Sequence, residues 1–199
     1  LSNKDEMLLF SFGKILEITV DNAFGSNGMS KLDEQDFVEE DEFVQAWFNL
    51  RSRILDFVRK MSILYPSQLF LFTSENWKRT LSLRSSMQQP VASLDGKADA
   101  WYRLLEKVVE SLPQDALAAD SSCYKMCAEL VESLTDVIPH AIEAVTCSIL
   151  RVLGIFQQLY INAPESVIVH VTKKVLQLLA LPGYVDNHFI KSITLTSPE

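Results

Sequence analysis

The residues of this chain best suited to nucleophilic or metal chemistry are three cysteines and three histidines. Cys123 and Cys127 lie four residues apart, a spacing that places both thiols on one face of a predicted helix. Cys147 lies in another apolar stretch, and the sequence contains no CxxC motif, so zinc has little support. We therefore expect buried, reduced thiols of the kind found in cytosolic and nuclear proteins.

The three histidines, His140, His170 and His188, are each isolated in sequence. A catalytic dyad would require the fold to bring a cysteine or serine beside one of them. Gly25 and Gly28 lack the Lys-Ser/Thr pair of a phosphate-binding loop, and neither HExxH nor EF-hand spacing occurs. The sequence predicts a protein that is not an enzyme and binds no cofactor. A cysteine with a lowered pKa would favour the alternative, a thiol enzyme.

Acidic side chains are concentrated near the start of the chain. The whole formal charge of −8 lies in residues 1–42, because the remainder carries equal numbers of acidic and basic side chains. This balance disfavours nucleic-acid binding, since phosphates are repelled at long range. The acidic run is interpreted as a solvated loop, a docking strip for a basic protein partner, or a metal site. The candidate partner-binding residues in it are Asp33, Glu34, Asp36, Phe37, Glu39, Glu40, Asp41 and Glu42.

Trp47, Trp77 and Trp101 each fall near a predicted helix, where packing in the core is the usual role of so large a side chain. Trp77 differs from the other two because polar Asn76 and Lys78 flank it. We expect Trp77 to be exposed and to contact a protein partner.

Basic side chains are also grouped on the second predicted helix. Arg51, Arg53, Arg59 and Lys60 fall mostly outside its apolar stripe. They are interpreted as a basic ridge or as a solvated helix face, and the sequence does not choose between the two.

Six or seven amphipathic stretches of helical length fill the chain almost end to end. Scarce glycine and proline disfavour an all-β sandwich and disorder. Helices of about 16–22 residues, joined alternately by short and longer breaks, predict an all-α fold, an α-solenoid of HEAT-like antiparallel helical hairpins. A first residue other than Met and a helix starting near Val185 predict a fragment of a longer chain. No uncharged apolar run reaches 18 residues, so no membrane span is expected.

The predicted organisation is one helical-repeat segment over residues 1–199. It comprises a helix over 1–22, an acidic loop over 23–40, hairpins over 41–89, 90–137 and 138–182, and a next helix or tail over 183–199. Asp120, Ser121 or Ser122 is expected to cap the fifth helix. A polar middle around Ser74 leaves open whether the third helix is continuous.

The first helix is expected to bury a broad apolar face. The residues of that face are Met7, Leu8, Phe10, Ser11, Ile15, Ile18 and Val20.

Three stretches resemble the karyopherin-β family of nuclear transport receptors. Glu42-Phe43 followed by Arg51 and a Leu-rich stripe is similar to one of the family's helices, which has an acidic and aromatic start. Trp101, followed by Leu-Leu-Glu at 104–106, is similar to a tryptophan-led helix found further along in those proteins. Residues 159–176 resemble the link and second helix of a HEAT repeat. Within the family, the pre-microRNA exportin and its fungal protein-cargo relative are the most similar.

The resemblance implies a segment of a HEAT solenoid that carries cargo through nuclear pores under control of the GTPase Ran. Receptors of this family have no catalytic residues, and their acidic stretches contact basic surfaces of Ran or of cargo. Protein partners in the nucleus and cytoplasm are therefore expected. The acidic charge departs from the basic groove that RNA cargo would require, so nucleic acid is not expected to bind this segment. The alternative is a HEAT-like adaptor subunit of another complex, with no dependence on Ran.

Overall fold

The structure, a computed structural model, describes residues 3–21, 40–87, 92–118, 121–135, 143–156, 160–161, 163 and 165–179. All regular elements in these ranges are helical, which confirms the predicted all-α class. The α-helices are α1 (Asn3–Thr19), α2 (Glu40–Leu64), α3 (Pro66–Ser85), α4 (Ala92–Glu110), α5 (Ser122–Thr135), α6 (Glu143–Ile155) and α7 (Glu165–Leu179). Within the same ranges, no helix is both long enough and apolar enough to cross a lipid bilayer.

Helix α3 lies at the centre of the described fold, in contact with α2, α4, α5 and α6. Its buried residues include Phe70 and Trp77 but also small polar side chains. Thr73 and Thr80 each donate a hydroxyl hydrogen bond of 2.8 Å to the carbonyl four residues earlier. These bonds satisfy the hydroxyls inside the core. The polar middle therefore does not break the helix, and α3 is continuous.

The helices alternate between two rows of contacts. In the even row, α2 contacts α4 and α4 contacts α6; in the odd row, α3 contacts α5 and α5 contacts α7. Contacts of α3 with α2, α4 and α6 join the rows, as do contacts of α6 with α5 and α7. Only Tyr65 separates α2 from α3, and Pro66 occupies the first turn of α3, where its missing N–H leaves no hydrogen bond unmade.

Aromatic pairs mark the places where the rows meet. Phe72 on α3 and Trp101 on α4 pack edge to face, with ring centroids 5.7 Å apart. Phe70 on α3 packs in the same manner on Phe156, just after α6, at 6.1 Å. Such pairs add about 0.5–1.5 kcal/mol beyond the area that they bury.

Helix α1 leaves most of the apolar face that its sequence predicts exposed. Phe12, Leu16 and Val20 are buried, and Gly13 lies so close to α3 that a Cβ there would be 3.1 Å from the ring of Phe72. Both faces of α1 are apolar, so the pattern alone could not choose between them; the close approach at Gly13 selects the buried one. Of the predicted face, Val20 alone is buried. Its large exposed members are Met7, Leu8, Phe10, Ile15 and Ile18.

The polar residues 85–96, which include Pro90, predict a linker, with the fourth helix starting at Lys97. Helix α4 instead begins at Ala92, so part of that predicted linker is helical. Its first turn carries Asp95, which accepts a hydrogen bond from Nε of Arg84 at 2.5 Å. Arg84 is buried and also donates to the carbonyl of Met87 just after α3. A charged hydrogen bond thus ties the end of α3 to the start of α4.

The cap of α5 is the middle one of the three residues that the sequence nominates. The backbone N–H of Tyr124 donates to Oγ of Ser121 at 3.0 Å, the hydrogen bond expected of an N-cap. The same hydroxyl donates to the carbonyl of Ala116, in the short 3₁₀ turn that precedes the helix. Ser121 therefore fixes both the start of α5 and its connection to α4.

Candidate functional site

The acidic run nominated as a partner-binding strip falls mostly outside the described residues. The members outside are Asp33, Glu34, Asp36, Phe37 and Glu39. Glu40, Asp41 and Glu42 form the first turn of α2, where negative charge suits the helix dipole. Among these three, the described side chain is that of Glu42, and it is exposed. Binding of a basic partner by this strip stays a prediction.

Trp77 is buried, so its expected exposure is wrong. Its side chain is 0% exposed, and its Nε1 donates to Oγ of Ser148 on α6 at 3.0 Å. The polar neighbour Asn76 is half-buried and donates its side-chain amide to the carbonyl of Phe72. Because other helices surround α3, polar neighbours in sequence do not mark an exposed face. Trp77 belongs to the core.

Two arginines from different helices bind one carboxylate on the even row, and a third arginine interacts with it electrostatically. Arg51 lies on α2, Asp99 and Arg103 on α4, and Arg151 on α6. Nε of Arg103 donates to Oδ2 of Asp99 at 2.8 Å, and Nη1 of Arg151 donates to Oδ1 at 2.6 Å. Each oxygen of Asp99 therefore accepts from a different arginine. These four residues are called the arginine cluster below.

Tyr102 holds the guanidinium of Arg151 in place. Cζ of Arg151 lies 4.3 Å from the centroid of the Tyr102 ring, a cation–π arrangement. The Tyr102 hydroxyl donates to Oε1 of Glu106, one turn further along α4, at 2.5 Å. Burial and this hydrogen bond raise the pKa of Tyr102, so its hydroxyl remains a donor. Arg151 is thus fixed between a carboxylate and an aromatic face.

The pKa shifts of the arginine cluster reveal opposing forces within it. Burial by itself raises the pKa of Asp99, but hydrogen bonds from Arg103 and Arg151 outweigh it, and the net shift is downward. Burial lowers the pKa of Arg51, and the charge of Arg103 lowers it further against the opposing effect of Asp99. Arg51 and Arg103 therefore repel each other. Burial by itself lowers the pKa of Arg151, but Asp99, Tyr102 and Glu106 outweigh it, so two carboxylates act on the arginines.

The sequence places Arg51 in a basic group on α2 but does not indicate its association with Asp99, Arg103 and Arg151. Asp99 and Arg103 lie four residues apart on one helix, a spacing that predicts their ion pair. Arg151 follows Asp99 by 52 positions. Nothing in the sequence brings those two together, since their contact requires α4 and α6 to lie side by side.

Cys123 and Cys127 are buried, as expected, and Cys147 is half-buried; all three are free thiols. A hydrogen bond between the two buried thiols lowers the pKa of Cys123 and raises that of Cys127, because Cys127 keeps the proton. Ser67 also stabilises the thiolate of Cys123. The cysteine with the lowered pKa, Cys123, is 2% exposed.

Grooves run between neighbouring helices at two places in the described structure. The groove between α5 and α7 has a volume of about 340 Å³ and is lined by Val131, Glu132, His170 and Val171, among others. The groove between α1 and α3 encloses about 290 Å³ next to Gly13. Among the residues with described side chains, no three His, Cys, Asp or Glu converge as a metal site.

No protein-family model, curated protein or solved structure matches this chain. The resemblance to karyopherin-β receptors therefore rests on the sequence pattern alone.

Proposed function

We propose that this chain is a non-enzymatic, protein-binding scaffold built as a stack of helical hairpins. The observation that supports the proposal is the alternation of contacts between the even row and the odd row. In a stack of hairpins, the first helices of successive units form one layer and the second helices form the other. Such a stack presents a continuous surface on each layer, and proteins bind to surfaces of this kind.

The proposal extends to a segment of a nuclear transport receptor that binds Ran and protein cargo. Its support is the sequence resemblance at Glu42–Phe43, Trp101 and residues 159–176 together with the all-helical fold. Glu42, the last residue of the acidic strip in sequence, is exposed at the start of α2. An acidic strip attracts basic surfaces and accelerates encounter with them.

Binding of Ran to the longest available form of the chain tests this extension. Purified Ran loaded with GTP is compared with Ran loaded with GDP by isothermal titration calorimetry. We expect a preference for the GTP state, since transport receptors of this family respond to the nucleotide. Equal or absent binding in both states would contradict a transport role.

A second candidate is a helical adaptor subunit with no dependence on Ran. The contact between α3 and α6 favours it, because this contact skips a unit and draws the stack together more tightly than an open array of hairpins requires. An adaptor would bind its protein partners equally well in the presence of either nucleotide.

A further inference from the structure

Helix α1 is joined to the other helices near both of its ends and at its middle. Near its start, the hydroxyl of Tyr65, between α2 and α3, donates to Oδ1 of Asp5 at 2.9 Å. Just after its end, Asp21 forms an ion pair with Lys97 of α4. The close approach at Gly13 places its middle against α3. The other side of α1 is therefore presented to water by a helix that is held in place.

That outward side of α1 is an apolar stripe, called the α1 stripe below. Its members are between 49% and 70% exposed and recur mainly at spacings of three and seven residues: Met7, Leu8, Phe10, Ile15 and Ile18. Ser11, which is small and exposed, lies near the middle of the stripe. Lys14 also falls within it and is paired with Glu17 of the same helix at 2.8 Å. The positive charge within the α1 stripe is therefore already neutralised.

The area of the α1 stripe fits a small specific interface. Five large apolar side chains exposed to this extent present roughly 500 Å², comparable to the largest apolar patch on a typical monomeric protein, which is often functional. Two such stripes packed face to face would bury about 1,000 Å² in total, the size at which specific protein–protein association begins. A second copy of the same surface therefore supplies enough area for a weak dimer.

The α1 stripe is complementary to itself under a two-fold rotation. Leu8 and Ile15 lie seven residues apart on one side of the helix, with Ser11 between them. When two α1 helices pack antiparallel, Leu8 of each copy faces Ile15 of the other, and the two Ser11 residues meet near the axis. Small side chains at this crossing allow the two helices to approach closely. An isologous interface requires self-complementarity of this kind.

We propose that the α1 stripe is a self-association surface through which two copies of this chain form a two-fold dimer. Dimerisation at α1 does not depend on Ran or on cargo. The net negative charge of residues 1–42 opposes the approach of two copies. Salt screens this repulsion and leaves apolar burial intact, so the dimer should become tighter as salt is added. An interface held by ion pairs would respond in the opposite direction.

Sedimentation velocity of the 199-residue chain at increasing concentration tests the proposal. We expect a monomer–dimer equilibrium with a Kd on the order of 10 μM. Met7→Gln and Ile15→Gln should each weaken the dimer about tenfold, because a symmetric interface loses each side chain twice. Glutamine is a good helix former, and circular dichroism of each variant reports whether α1 is kept.

Leu176→Gln is the matched control. Leu176 is 61% exposed on α7, so this variant also exchanges an exposed apolar side chain for glutamine. We expect it to dimerise as the wild type does, because α7 takes no part in the two-fold pairing.

Cross-linking tests the position of the axis. Ser11→Cys should form a disulfide-linked dimer when it is oxidised with diamide, since the two copies of this position meet near the axis. Ser52→Cys, at an exposed position on α2, should give no more cross-linked dimer than the wild type does. The absence of cross-linking in a dimer of Ser11→Cys would contradict the proposed pairing.

Several results would overturn the proposal. A wild type that stays monomeric at about 200 μM would not have the expected affinity; if that monomer bound ANS or lipid vesicles, another protein or a lipid surface would be the occupant. Oligomers that keep growing with concentration, or a dimer that Leu176→Gln weakens as much as Ile15→Gln does, would indicate a head-to-tail contact. Dissociation of the dimer by added salt would assign it to ion pairs.

Discussion

Asp99 is the residue through which α4 and α6 interact electrostatically. Its two oxygens accept from Arg103 on its own helix and from Arg151 on the next helix of the even row. The side chain is about one-third exposed, so water screens each pair and the stabilisation stays below about 1 kcal/mol per pair. Asp99 therefore contributes little to the stability of the helix packing, and its main structural effect is to orient Arg103 and Arg151.

The lowered pKa of Asp99 makes its contribution to stability depend on pH. A carboxyl whose pKa is lower in the folded state stabilises the fold above its unfolded value of about 3.9. That stabilisation is lost as pH falls through the folded pKa. Asp99→Asn should therefore be less stable than the wild type at pH 6 by up to about 1 kcal/mol. This difference in the free energy of unfolding should become smaller below about pH 4.

Urea unfolding followed by circular dichroism between about pH 3 and 6 measures this gap across the relevant range. Glu75→Gln, which removes an exposed carboxylate from α3, reports the general effect of losing one negative charge. A gap between wild type and Asp99→Asn that is the same at every pH would contradict the prediction.

The burial and the contacts of individual side chains were the features least predictable from the sequence. The burial of the pair Cys123 and Cys127 followed from an apolar helical stripe. The exposure predicted for Trp77 was wrong because polar neighbours in sequence suggest an exposed face. In α3 they do not mark one, since other helices surround this helix. The arginine cluster was missed because Arg51, Asp99 and Arg151 are joined by packing, which periodicity does not encode.

At the scale of elements, the hydrogen bond between Trp77 and Ser148 connects the central helix α3 to α6. Trp77→Phe removes the donor and part of the packed ring, so we expect a loss of about 1–3 kcal/mol in the free energy of unfolding. Ser148→Ala keeps the ring and should cost about 1 kcal/mol. Urea unfolding of both variants and of the double variant measures the coupling. Effects that simply add would show that the two side chains do not interact.

Alanine substitutions at two helical glycines should change the stability of the protein in opposite directions. Nothing lies within 4 Å of a Cβ placed on Gly154, so Gly154→Ala should stabilise α6 by up to about 1 kcal/mol. A Cβ on Gly13 would lie 3.1 Å from the ring of Phe72, which also packs edge to face on Trp101. Gly13→Ala should therefore destabilise by about 1–3 kcal/mol. Thermal unfolding of both variants is the test, and a stabilised Gly13→Ala would refute this account of α1.

Most helix positions could be predicted from the sequence, since Pro66 and Ser121 mark helix starts by local chemistry. The start of α4 was missed because Arg84 and Asp95 join the end of α3 to residues that resemble a linker. The orientation of α1 was wrong for a different reason. Its two faces are both apolar, and Phe10 and Met7, at 70% and 68% exposed, lie on the side that periodicity favoured.

At the scale of the whole molecule, charge is unevenly distributed along the proposed scaffold. The excess negative charge lies in residues 1–42, while residues 43–199 are neutral as a whole. The proposed acidic strip would suit a basic partner. We therefore expect rising salt to weaken the complexes that form on it.

The central position of α3 has a consequence for synthesis on the ribosome. Trp77 and Ser148 are 71 residues apart, so at about 5–20 residues per second their separation corresponds to about 4–14 s of translation. Throughout that interval the face of α3 that packs on α6, with Phe70 and Trp77, lacks that partner on the nascent chain. Chaperones that bind apolar segments would find this face there.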